Sequence, residues 1–532
     1  MWRELPVEDK EEYKKMILAF ASLTEAFAQK AEKNACDIPA PIINSKYQET
    51  IFQKAFHGSI EDIGNTSYDV ALNIYLANQN KKYLIGIKTF GIGSGYQKIA
   101  QFKAKRSDWS PIINQIEANS INAKGKKKEK EEINKINYDL YKQLAVEISV
   151  LRNERIKSSV ANIQGFKISE NDEVESVYHV LMPSKKGADP EISVGETTYD
   201  EINIDKLEVL GCTTNNIPAN FEFTDGKHFY RYTDADSQLS MNFNNKEIVL
   251  EKWPVRYADN AYKILADIAD KIYDDKLKTQ DNSERIIESY CWKITNKKDE
   301  VEKYSGFNGF YGIGSKLPKN QRRKKIQNLE NKYCQLIDKA FLKKVVIKLE
   351  EFLFNDSSKA NEKEQKIKLR EDILGLVEQS NNSQFSEDVK KVLFRPKNEM
   401  YIPIPRSKEF HMSHPDFFGN KIGTFEEGTS KLALSKKECE FDLVFEPSGN
   451  KVRSFITQDY GKAIESEDKQ SILGEWILNK VFQLKEYEPL TSKKLKEIGI
   501  NGIRLFKTNR DSDVHLEFIW IGEDAPLDYI ER

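Results

Sequence analysis

The stretch YDVALNIYLANQNKKYLIGIKTF, from Tyr68 to Phe90, has one carboxylate at its start, Asp69, and near its end a lysine, Lys88, between apolar residues and glycine. These two residue types suit phosphodiester hydrolysis. A carboxylate at a strand end can hold magnesium, which prefers oxygen ligands and keeps several waters. The metal lowers the pKa of a water and stabilises charge on a phosphodiester oxygen. A neighbouring lysine can orient or help deprotonate that water and offset phosphate charge. Taken singly, Asp69 also fits a strand-entry turn, and Lys88 fits a snorkelling lysine at a sheet edge. LIGIKT is apolar on both sides of the lysine, however, and an interior lysine is costly without a partner.

Two strands, SYDVALNIYLA and KKYLIGIKTF, joined by the turn-like NQNK, would place Asp69 and Lys88 at one end of a sheet. Ahead of them, residues 10–33 have helical spacing of Tyr13, Met16, Ile17, Phe20, Leu23 and Phe27, and YQETIFQKAFHG predicts a second helix bearing Glu49. Behind them come the glycine-rich GIGSG (91–95) and YQKIAQFKAKRSDW, whose periodicity predicts a helix offering Lys98, Lys103, Lys105 and Arg106 to DNA phosphates. The lysine-rich NAKGKKKEKEE (122–132) fits a solvated excursion. A helix at YDLYKQLAVEISVLRNERI follows, then strands in ESVYHVLMPS, DKLEVLGC, HFYRYTDADSQLSMNF and KEIVLEKW. GIGSG lacks the spacing of a dinucleotide fingerprint and no Walker motif occurs, so no nucleotide cofactor is expected.

The helix–strand–strand–strand–helix–strand order resembles the PD-(D/E)xK nuclease superfamily. Tyr68-Asp69 stands where that family has Pro-Asp, and Gly86-Ile87-Lys88 stands where it has (D/E)-x-K. The resemblance implies Asp69 as a magnesium ligand and Lys88 as the catalytic lysine. Gly86 departs from the pattern by leaving out the second acid. Three readings stay open: a carboxylate from Glu49, Glu61 or Asp62; help through water from Gln97 or Gln101 of the following helix; or an inactive site. Glu49 is the favoured second ligand, because helix residues at that location join the metal site in many family members.

Residues 257–395 shift towards Lys, Glu, Asn, Asp and Leu, which predicts a helical connector with a basic loop in SGFNGFYGIGSKLPKNQRRKKIQN. After Pro396 the segments NEMYIPIPRSKEFHMSHPDFFG, FDLVFEPSG, ITQDYGKAIES and LGEWILNKVFQL resemble the C-terminal recognition domain of certain type II restriction endonucleases. That pseudobarrel is related to the DNA-binding domain of plant auxin-response transcription factors. The resemblance implies two arms gripping the major groove, at about 405–420 and 455–468. Arg406, Lys408, His411 and His414 would offer donors on the first arm, and Gln458, Lys462 and Ser466 on the second. His411 and His414 fit a packed turn beside Pro415 equally well.

A chain of 532 residues can hold two to four domains. Its five cysteines are scattered without a C-x-x-C pair, which argues against a zinc or disulfide framework. A net charge of −2 restricts any nucleic-acid binding to local patches. No apolar run approaches the ~18 residues of a membrane span. The charged MWRELPVEDKEEYKK lacks a signal-peptide core, so cytoplasmic residence is expected. The expected architecture is an α/β restriction-endonuclease-like core over 1–256, a helical connector over 257–395, and a β pseudobarrel with two helices over 396–532. The expected function is magnesium-dependent, sequence-specific cleavage of double-stranded DNA. With one active site per chain, cutting both strands would need dimerisation or sequential nicking, so a homodimer or transient self-association is expected. The alternative is a DNA-binding repressor or targeting subunit with an inactive nuclease-like domain. RNA is disfavoured, because A-form helices hide the major groove.

Overall fold

The computed structural model describes residues 1–27, 38–60, 68–76, 79–121, 130–166, 172–273, 286–312, 317–354, 360–467 and 473–531. Glu61, Asp62 and most of the lysine-rich run at 122–132 lie outside the described residues.

The N-terminal half contains two sheets. The first runs β1 (Ser59–Ile60), β2 (Val70–Leu76), β3 (Gln79–Thr89), β5 (Asp172–Pro183), β6 (Glu191–Thr198) and β11 (Val249–Pro254), in that spatial order. Neighbours are antiparallel except β3 and β5, which are parallel. A parallel pair needs a long crossover. It is supplied through β4 (Tyr96–Gln101), α4 (Arg106–Asn119) and the 35-residue α5 (Lys130–Gln164). One face of the sheet is covered by α1 (Val7–Ser22) and α3 (Ser45–Phe56), with the short α2 (Thr24–Phe27) beside α1, and α5 packs against β3 and β5. With both faces covered, β5 reads as the near-continuous apolar run VYHVLM. Its one polar member, His179, is fully buried. Burial pushes the imidazole down to about 3, so it sits neutral, with Nε2 3.1 Å from Tyr13 Oη and its ring stacked on Trp2. The Asn44 side chain caps α3 by accepting from Tyr47 N, and His57 ends it in the left-handed region.

The second sheet runs β4, β10 (Gln238–Asn242), β9 (Phe229–Thr233), β8 (Ile217–Thr224) and β7 (Glu208–Thr214). The helix expected across YQKIAQ is a strand, because β10 offers it an antiparallel edge from Tyr96 to Gln101. Lys98 therefore lies on a strand, and the helix expected to hold four cations starts later. Two of those cations are engaged: Lys105 pairs with Glu497 and Asp108, and Arg106 lies 3.7 Å from Asp234.

Between this half and the last sheet lie α6 (Ala261–Tyr273), α7 (Lys319–Tyr333), α8 (Lys339–Phe354), α9 (Ala360–Glu378) and α10 (Ser383–Leu393). The third sheet runs β12 (Ile286–Lys293), β17 (Gly502–Thr508), β18 (Val514–Ile519), β14 (Glu440–Phe445), β15 (Asn450–Ile456), β16 (Ala463–Ser466) and β13 (Ile402–Pro403). Two expectations change here. The predicted helical connector contains β12, which pairs with β17 from Ile286↔Thr508 to Lys293↔Gly502. Its predicted basic loop is a buried 3-10 turn, Gly306–Tyr311, followed after residues 313–316 by the basic α7. Gly306 and Gly309 leave no room for a side chain: a Cβ would meet the Tyr401 carbonyl at 2.2 Å and the Glu399 carbonyl at 2.6 Å. Val345 and Leu349 of α8, Phe385 and Val389 of α10, and Leu443, Leu505 and Leu516 of the sheet share one core.

The end of α5 docks on this body. Trp476 Nε1 donates to Ala161 O at 2.9 Å, Arg155 Nε to Glu497 O at 2.6 Å, and Phe166 N to Asn450 Oδ1 at 2.8 Å. One helix thus lines the first sheet and anchors the third.

On β18, His515 is 6% exposed, with Glu446 Oε1 2.9 Å from Nδ1 and Asp511 Oδ1 3.1 Å from Nε2. Burial opposes its charge, but the two carboxylates outweigh it and raise the imidazole above its ordinary pKa. A raised folded-state pKa gives stability that is present in full below about pH 6.5 and lost as pH rises through the folded value. In urea melts His515→Gln should cost ~1–2 kcal/mol at pH 5.5, and the gap to the parent should narrow by pH 9.

Candidate active site and nucleic-acid interface

The β2–β3 register pairs Val70 with Ile85, and Asp69 N donates to Ile85 O at 2.9 Å. Asp69 Oδ2 accepts from Ile87 N at 2.6 Å and lies 3.9 Å from Lys88 Nζ. The side chains are 28% and 29% exposed, so the pair faces solvent from a backbone-fixed position. The apolar flanks of LIGIKT suggested an interior lysine, but Lys88 reaches solvent, and Asp69 is its neighbour at the strand end rather than a partner that burial demands. Its Oδ1 makes no hydrogen bond to the described residues.

Gly86 is two residues before Lys88 and shares its strand face. A Cβ there would lie 2.7 Å from the Tyr178 ring and 3.1 Å from Tyr199. Those rings stack at 4.1 Å and 11°, and the Arg152 guanidinium lies 5.2 Å from the Tyr199 centroid. An acid at position 86 would have to displace a buried aromatic pair, which explains the glycine. Gly86→Glu should therefore not strengthen metal binding. Overpacking should cost ~1–3 kcal/mol, read from urea melts.

Glu49 follows Gln48 on α3. Gln48 is fully buried, and its Oε1 accepts from the hydroxyl of Thr89, the residue after Lys88. This contact brings α3 to the end of β3 that bears the Asp69–Lys88 pair. Glu49 itself is 21% exposed and pairs with Lys46 at 2.8 Å. Such an exposed i,i+3 pair is worth under ~1 kcal/mol and is readily exchanged for another cation. Among the described residues no group of three or more His, Cys, Asp or Glu side chains is gathered to hold a metal. Magnesium commonly takes one or two carboxylates together with substrate phosphates and waters. Asp69 faces solvent as such a carboxylate would, while the partner that Glu49 has is Lys46 rather than Asp69. Gln97 and Gln101, expected on a helix beside the site, instead lie on β4 and pair with Met241 and Gln238 of the second sheet.

In the C-terminal part, Arg406 adopts a left-handed conformation (φ 42°) and starts α11 (Ser407–Ser413). Arg406 and Lys408 are exposed, with Arg406 3.5 Å from Glu531. His411 is different. It is fully buried, and its Nε2 donates to Gly461 O at 2.8 Å. Burial holds its pKa below the ordinary value. It ties the two expected arms together and is withdrawn from direct DNA contact. His414 is half-buried, with Nδ1 2.6 Å from Tyr290 Oη and its ring against Tyr290 and Phe410. On the second arm Tyr460 and Gly461, in the six-residue connection 457–462 between β15 and β16, have φ of 58° each, so two consecutive residues there are left-handed. Gln458 is exposed and donates to Leu434 O at 2.9 Å, and Lys462 is exposed and paired with Asp459. Ser466, expected to contact DNA, is only 7% exposed and lies opposite Ser454 in the sheet. The structure adds Tyr460, 49% exposed at the turn tip, which the Tyr-Gly dipeptide could have signalled.

No curated protein matches this chain. Residues 376–509 match the family described as the NgoFVII C-terminal B3-like DNA-binding domain. The C-terminal part of this chain is thus similar to the B3-like DNA-binding domain of a restriction enzyme.

Proposed function

We propose that the protein is a magnesium-dependent, sequence-specific endonuclease of the type II restriction class. The observation that carries this reading is the Asp69–Lys88 pair, held by Ile87 N at the end of a parallel strand pair, in a chain that also bears a B3-like domain. The element order α3, β1, β2, β3, α5, β5, with β4 and α4 inserted in the crossover, supports a PD-(D/E)xK-type core.

Asp69 and Glu49 would hold the ion, which supplies Lewis-acid stabilisation of the pentacovalent phosphate and makes the attacking water more acidic. Asp69 is oriented for this by its bond from Ile87 N, which leaves Oδ1 available. Lys88 positions the water in line with the scissile bond and offsets the charge that builds on the phosphate oxygens. Arg406, Lys408, Gln458, Tyr460 and Lys462 present donors and one ring from the arms to the major groove. His411 and Gly461 hold the arms at fixed spacing. Cutting both strands with one site per chain calls for self-association.

Plasmid DNA incubated with the protein and magnesium should give discrete fragments, and chelation should abolish them. Retained DNA binding with no cleavage at any magnesium concentration would instead favour a repressor or targeting subunit. The absence of an acid at position 86 keeps that second reading alive.

A further inference from the structure

Two turns meet beyond the ends of β3 and β5. Phe90 N donates to Leu181 O at 3.2 Å and Ile92 N to Pro183 O at 3.0 Å, which carries the pairing past the ladder into the Gly91–Gly95 turn. Asn245, 7% exposed, donates Nδ2 to the carbonyls of Ile92 and Ser94, so the second sheet holds this turn in place. The turn from β5 to β6 carries Lys185, Lys186 and Asp189. Lys185 lies directly across Gly93: a Cβ there would be 2.3 Å from Lys185 Cε and 3.0 Å from Nζ. A side chain at 93 would push the Lys185 ammonium aside, so the glycine lets that group lie against the turn.

The Lys185 side chain is exposed and makes no hydrogen bond or ion pair among the described residues, its carbonyl accepting from Ala188 N at 3.1 Å, and Gly93, Ser94 and Gly95 are exposed beside it. The surface there combines an ammonium group with a glycine-rich backbone that a phosphate can approach closely. Gly93 is five residues past Lys88, at most ~18 Å of extended chain. Nucleotides of one strand advance about 3.4 Å each along the duplex axis, so this surface lies within about five nucleotides of a phosphate at Lys88.

We infer that Lys185 and the Gly93–Gly95 turn form a clamp for a backbone phosphate of the strand cut at Asp69 and Lys88. The clamp rests on the nuclease reading for its purpose, but its test is separable from it. Amine acetylation of the full-length protein, followed by mass spectrometry, reads Lys185 directly with and without excess plasmid DNA. In the Asp69→Ala background, which prevents turnover, DNA should slow acetylation of Lys185 at least ~5-fold. Unprotected Lys185 in a protein that cleaves DNA would overturn the clamp and leave the nuclease intact. Protected Lys185 in a protein that never cleaves would leave the clamp standing and remove the nuclease. With cleavage present, Lys185→Ala should lower the single-turnover rate ~10-fold, Lys185→Arg should restore most of it, and thermal melting should be unchanged. Equal rates for the alanine variant and the parent would also overturn the clamp.

Discussion

Asp69→Ala and Lys88→Ala should each lower magnesium-dependent plasmid cleavage by at least ~10³-fold and leave DNA binding within about twofold of the parent. The expected size follows from the two roles. A metal ligand and a group placed at the developing charge each contribute several kcal/mol to a phosphoryl-transfer barrier. The fold should tolerate both changes. The pair is 3.9 Å apart and nearly a third exposed on each side, so solvent screening holds its worth to stability below ~1 kcal/mol. Glu49→Gln tests the second ligand: with the alternative carboxylates of the family pattern excluded at position 86, it should lose activity that higher magnesium partly restores. Cleavage by Asp69→Ala at the parent rate would remove the site.

Gly461→Ala should weaken binding of specific DNA ~100-fold, about 2.7 kcal/mol, in a gel-shift or anisotropy titration. Two penalties coincide at this position. The backbone has φ of 58°, which disfavours a side chain, and a Cβ would lie 2.4 Å from the His411 ring. Because His411 is bonded to the carbonyl of the same residue, the turn bearing Tyr460 and Lys462 would shift against α11, and the arm spacing with it. Lys462→Ala provides the contrast. It removes one exposed cation without moving the arms, so it should weaken binding to all sequences alike and reduce the salt slope by about one. Parent-like binding by Gly461→Ala would show that the arms do not depend on the His411 tie.

That Asp69 and Lys88 sit at one end of neighbouring strands was legible from β alternation and the turn between them, but the lysine read as interior is 29% exposed and needs no partner on burial grounds. Both arms were legible only through the family resemblance of their segments, and the B3-like match covers those segments. The YQKIAQ strand was not legible. Its apolar spacing suits a helix, and only the edge of β10, far along the chain, makes it a strand. Nor was β12, whose sequence IIESYCWK sits among lysine- and glutamate-rich helices and finds its partner in β17.

Burial separates the two kinds of knowledge. Local pattern alone sufficed for the strands around Asp69 and Lys88 and for the helix bearing Glu49, since each depends on periodicity or turn chemistry within a few residues, whereas the arm residues came from the resemblance of whole segments. Tertiary contacts decided which of those residues meet solvent. Tyr178 and Tyr199 fill the space an acid at position 86 would need, His411 turns inward to Gly461, and Ser466 is covered in the sheet. Lys185, in a turn with no motif of its own, is placed across Gly93. Such outcomes depend on which atoms from distant segments occupy the neighbouring volume, and residue spacing along a chain carries no record of that.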